Sequence, residues 1–123
     1  MIEESYVSFD TAKMLKEAGF DEPCSFCYSP CKDIRRKNYK RNSDLVKGFY
    51  SRPTQALAAR WLREVYNVSI YSLYDDDMEQ WFYVVDAFTK NPVINGFQSG
   101  SEYDDYESAF EEGLCEAIKL IKK

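Results

Sequence analysis

Three stretches of the chain carry apolar residues at helical spacing. Phe9, Ala12 and Leu15 recur every three residues, with Ser8 placed to cap the N-terminus and Gly19 to stop the helix ahead of an apolar Phe20, which predicts a helix over roughly 9–18. Leu57, Ala58, Trp61, Leu62 and Val65 line one face of a second helix, with Ser51 or Thr54 as cap, Pro53 in the first turn and Asn67 at the end. Tyr106, Phe110, Gly113, Leu114, Ala117, Leu120 and Ile121 form one stripe of a third, its start marked by Asp104 and Asp105 and its end by Lys119, Lys122 and Lys123, in keeping with the helix dipole.

Between the second and third helices the period changes to two. Val68 to Tyr74 and Gln80 to Phe88 are β-favouring runs joined by the acidic turn Asp75-Asp76-Asp77, which predicts a hairpin; Pro92 to Phe97 offers a shorter third strand, with Asn95-Gly96 suited to a tight turn. Between the first two helices the pattern is weak. Phe26 with Tyr28, and Phe49 with Tyr50, are short apolar pairs that suggest a hairpin in the segment 24–50. The expectation is one α+β domain over residues 1–123, an antiparallel sheet of about three or more strands packed by three helices.

At 123 residues the chain has a common single-domain length, and its 45% apolar and 30% charged residues fit a folded domain. No apolar run approaches the ~20 residues of a spanning helix, and the opening Met-Ile-Glu-Glu-Ser is acidic where a secretory signal is basic and then apolar, so no membrane association and a cytoplasmic setting are expected. The chain contains no histidine, which removes the commonest general base and every nucleophile–histidine arrangement. No phosphate loop or acid–base pair stands out, and enzymatic activity is not expected.

The net charge is −5, unevenly distributed. Lys32, Arg35, Arg36, Lys37, Lys40, Arg41 and Lys47 face only Asp33 and Asp44 in their segment. With Tyr39 among them, Arg35, Arg36, Lys37, Lys40 and Arg41 are candidate nucleic-acid contacts, the cations tracking phosphates and the ring offering a stacking face. The bland reading of the same segment is a solvated loop balanced by the acidic remainder of the surface.

Cys24, Cys27 and Cys31 place three thiols within a short span, a candidate set for structural zinc that needs a fourth ligand. Cys115 is the remaining cysteine, and it falls about 180° round the last helix from the apolar stripe. Unrelated thiols in a reducing compartment are the simpler expectation, with no cofactor. Ten tyrosines, eight phenylalanines and two tryptophans are a heavy aromatic load. Alternation assigns Tyr71, Leu73, Trp81, Tyr83 and Val85 to one face of the hairpin and Ile70, Phe82 and Val84 to the other; an uncovered aromatic face of Tyr71, Leu73, Trp81 and Tyr83 would suit a protein partner or a homodimer.

The run Pro-Thr-Gln-Ala-Leu-Ala-Ala-Arg-Trp-Leu-Arg-Glu at 53–64, together with the segment from Tyr6 to Phe20 and the closing Tyr106-Glu-Ser-Ala-Phe110, resembles a family of small uncharacterised proteins from gut Bacteroidales and their phages or prophages. The likeness spans most of the chain outside 24–48. It implies a mobile-element origin and carries no activity, cofactor or site residue. The expected function is that of a non-enzymatic accessory or interaction protein, the alternative being a small nucleic-acid-binding module that uses 32–47.

Overall fold

A computed structural model describes residues 2–87 and 97–121. The chain is α+β, with three α-helices and two three-stranded antiparallel sheets among the described residues. It divides into two compact units, Met1–Ala58 and Ala59–Lys123, the division falling within the second helix. No helix among the described residues is long and apolar enough to cross a membrane.

Helix α1 (Phe9–Glu17) begins where expected: Ser8 has extended backbone and its hydroxyl accepts the Thr11 N–H. Its end is a Schellman turn. Gly19, at φ +101°, donates to Lys16, and Phe20 donates to Leu15, bringing the buried Phe20 and Leu15 side chains to the same end of the helix. Thr11, Ala12 and Leu15 form its buried stripe.

The sheet of this first unit is built on β1 (Cys24–Tyr28), which lies between β2 (Ile34–Lys40) and the two-residue β3 (Tyr50–Ser51). The pairing of Tyr28 with Tyr50 and of Cys27 with Ser51 brings together the two apolar pairs noted in the sequence. The second partner of β1 was not visible there. β2 holds the middle of the basic segment, Arg35, Arg36, Lys37 and Lys40, and pairs with β1 as Phe26 to Arg36, Cys27 to Arg35 and Tyr28 to Ile34, so over 34–40 the loop reading is corrected to an edge strand. It lacks a buried face, every residue of it being exposed, and therefore shows no apolar alternation.

Helix α2 (Gln55–Tyr66) is capped by Thr54, whose hydroxyl accepts the Leu57 N–H, while Ser51 belongs to β3. Ala58, Ala59, Trp61 and Leu62 are buried, but Val65 is 57% exposed and does not continue the stripe. Periodicity places a residue on a helix face; it does not say where along the helix the packing surface ends. Asn67 takes a left-handed φ of +57° at its end.

In the second unit β4 (Val68–Asp75) and β5 (Gln80–Ala87) form the expected hairpin, and β6 (Phe97–Gln98) adds to β5. Of the strand expected at 92–97, only Phe97 lies among the described residues. The acidic run is the hairpin turn: the Asp75 carboxylate accepts the backbone N–H groups of Asp77 and Met78, and Glu79 closes it at φ +55°. Helix α3 (Tyr106–Ile121) starts at Asp105, whose carboxylate accepts the Ser108 N–H. Ala109, Phe110, Gly113, Leu114, Ala117 and Ile118 are its buried residues. Gly113 is the point of closest approach, since a Cβ there would meet Ile70 Cγ2 at 2.8 Å and Tyr83 Cβ at 3.2 Å.

That contact, with Trp81 edge-on to Tyr106, identifies the covered face of the second sheet. The register pairs Ile70 with Val85, Ser72 with Tyr83, and Tyr74 with Trp81, whereas Tyr71 opposes Val84 and Leu73 opposes Phe82. The single aromatic face expected from the sequence is therefore corrected. Trp81, Tyr83 and Val85 lie on the α3 side, and Tyr71 and Leu73, 43% and 46% exposed, lie on the opposite face with Phe82 and Val84. Directly paired residues share a face, so two alternating strands are matched by register and not by composition.

Candidate nucleic-acid interface

The candidate residues of the first unit stand on β2, and polar groups hold the neighbouring chain in place. Buried Asn42, 4% exposed, sits in a short 3-10 turn (Asn42–Asp44) just after β2. Its amide donates to the Phe20 carbonyl at 2.8 Å and its oxygen accepts the Ser51 N–H at 2.8 Å, tying the end of α1 to β3. Asp21 accepts both the Ser43 N–H and the Ser43 hydroxyl, and Arg41 donates to the Asp21 carbonyl. At the other end of β2, the Ser29 hydroxyl accepts the N–H groups of Cys31 and Asp33. Both ends of an otherwise solvated strand are thus anchored.

Along β2 the cations fall on both faces. Arg36 lies opposite Phe26 and Arg35 opposite Cys27. Burial pushes the Cys27 thiol up, while Lys37 and Arg35 draw it back, as expected for cations beside it. Arg35 has a 4.0 Å contact with Asp33 between exposed groups, too long and too wet to neutralise it. Arg36, Lys37 and Lys40 have no carboxylate partner among the described residues. Tyr39 is 74% exposed at a left-handed φ of +49°. At about 3.3 Å per residue, the seven-residue strand displays these groups over about 20 Å.

Beside the strand is a pocket of about 190 Å³ lined by Tyr6, Pro23, Cys24, Ser25, Phe26, Tyr39, Arg52, Pro53, Thr54 and Leu57. Among the described residues Arg52 is its only charged lining residue. Its guanidinium lies 4.0 Å from the centre of the Tyr6 ring, and its Nε donates to the Tyr28 hydroxyl at 3.2 Å, which in turn donates to the Val7 carbonyl at 2.6 Å. Tyr6 packs edge-on to Phe26 at 5.8 Å. Burial raises the Cys24 thiol to about 11, so it stands in the pocket wall as a neutral group. Sequence reading missed Arg52, Tyr6 and Asn42; none belongs to a charge run or a periodic stripe, and only the fold brings them to this region.

Among the described residues, no three His, Cys, Asp or Glu side chains gather as a metal site. Cys24 and Cys27 are buried, Cys31 is exposed and Cys115 is half-buried on α3. Compared with protein-family models, with curated proteins and with solved structures, the chain has no significant match.

Proposed function

We propose that this protein is a small nucleic-acid-binding module that takes single-stranded nucleic acid along β2. The observation that carries the reading is that Arg36, Lys37 and Lys40 stand on an anchored, wholly exposed edge strand with no carboxylate partner among the described residues. Unpaired cations over about 13 Å release counterions when phosphates replace them, and the exposed Tyr39 adds a ring on which a base can stack. The backbone edge of β2 is left open as well, and the same charges discourage pairing with another strand, so solubility and binding are served by one feature.

The docking of a protein partner on one aromatic face has weaker support. Tyr71 and Leu73 are separated from Trp81 and Tyr83 by the sheet itself. A mobile-element setting belongs to the same proposal and rests on the resemblance of the helical segments.

The test is anisotropy of a labelled ten-residue oligothymidylate across a salt series. Affinity should fall with a log–log slope of about −0.7 per neutralised phosphate, near −3 if four cations engage. The triple variant Arg36→Gln, Lys37→Gln, Lys40→Gln should reduce the slope by about 2 while leaving the thermal midpoint in place. A complex indifferent to salt, or equally tight in the triple variant, refutes the reading.

A further inference from the structure

We infer that the pocket beside β2 is a subsite for one nucleotide of the bound strand, its base lying against Tyr39 and Phe26 and a neighbouring phosphate on Arg52. This rests on the proposed track along β2 and adds to it the place where a base is held.

The size of the pocket is the first argument. At about 190 Å³ it falls below the roughly 300–1,000 Å³ of sites that enclose a whole cofactor or drug-sized ligand. One planar ring fits; an intact dinucleotide cofactor does not. The lining is the second. Tyr6, Phe26 and Tyr39 supply aromatic surface, and no lining residue among the described ones is acidic.

Arg52 supplies the anion contact. Its Nε is committed to the Tyr28 hydroxyl and one flat side of its guanidinium to Tyr6, which fixes the fork in orientation. The two terminal nitrogens have no protein acceptor among the described residues, leaving them free to grip a phosphate oxygen pair. The N-terminus of α2, entered through Thr54 in the same wall, adds a positive dipole end. Tyr39 joins this site to the track: it lines the pocket and belongs to β2, between Lys37 and Lys40.

The experiment compares a ten-residue oligothymidylate with a ten-residue oligomer of the same phosphates in which every base is missing, by anisotropy at low salt. The wild-type protein should prefer the intact strand by about tenfold, the scale of one base stacked on an aromatic side chain. Tyr39→Asn keeps a residue that tolerates the left-handed backbone and removes the ring; it should bring the intact strand down to the affinity of the abasic one. Equal wild-type affinity for the two oligomers, or a full preference retained by Tyr39→Asn, overturns the subsite and leaves the track standing. Absence of binding to either oligomer overturns both.

Discussion

The two sheets of this protein are stabilised by different means. The second is an alternating hairpin with one face pressed on a helix: Ile70, Tyr83 and Val85 are buried with Gly113, Leu114 and Ala117 from α3. The first contains a strand with no buried residue at all, paired with β1 and flanked at both ends by turns that Asn42, Ser29 and Asp21 hold by hydrogen bonds. An apolar face supplies much free energy and little chemistry at the surface; polar anchors supply less and leave a strand free to display charge. The contrast explains why the candidate interface lies in the first unit.

The largest expected effect strikes the packed sheet. Gly113→Val places two methyls where even a Cβ meets Ile70 at 2.8 Å, and should destabilise the protein by about 3 kcal/mol, seen as a lower denaturant midpoint and faster hydrogen exchange in β4 and β5. If Gly113→Val is neutral, the close approach of helix to sheet is wrong. The matching change in the polar sheet is Asn42→Ala, which leaves the Phe20 carbonyl and the Ser51 N–H buried without this partner and should cost about 2 kcal/mol. Exchange should then rise at Ser51, and oligonucleotide affinity should fall as the anchor of β2 loosens. A loss of stability with no change at Ser51 would separate Asn42 from the strand it is said to hold.

A smaller effect is expected at the start of α3. Asp105→Ala removes the side-chain cap at Ser108 and should cost about 1 kcal/mol by thermal melting, with Asp105→Ser restoring most of it. The smallest is a pH effect confined to the second unit. The Ser101 hydroxyl, followed by the Met78 N–H, holds the Asp75 carboxyl below its ordinary range, and the Ser108 N–H does the same for Asp105. Because both native values are depressed, the stability they confer is complete above about pH 4 and is lost as pH falls through the lowered values. Asp75→Asn should flatten the stability profile below pH 4; an unchanged acid limb would mean the turn contacts do not persist in solution.

The basic segment and Tyr39 were legible as candidate contacts from charge alone, whereas the pocket was not. Tyr6, Phe26, Tyr39 and Arg52 lie far apart along the chain, and no spacing rule relates them. Cys24, Cys27 and Cys31 show the converse: close in sequence, they differ in burial, and among the described residues they form no metal cluster.

By itself, the sequence determined the elements whose signals are local: the Ser8 cap and Gly19 stop of α1, the three helices and the middle of each apolar stripe, and the hairpin from Val68 with its acidic turn, while Val65 and Tyr106 at the stripe ends are exposed. Those depend on backbone preference and on periodic burial, which act within a few residues. Only the tertiary structure decided that residues 34–40 of the basic run form a strand, that Tyr71 and Trp81 lie on opposite faces, and that Arg52 meets Tyr6. Strand partners and register are set by contacts between distant residues, and a strand with no buried face leaves no pattern in the sequence from which to read them.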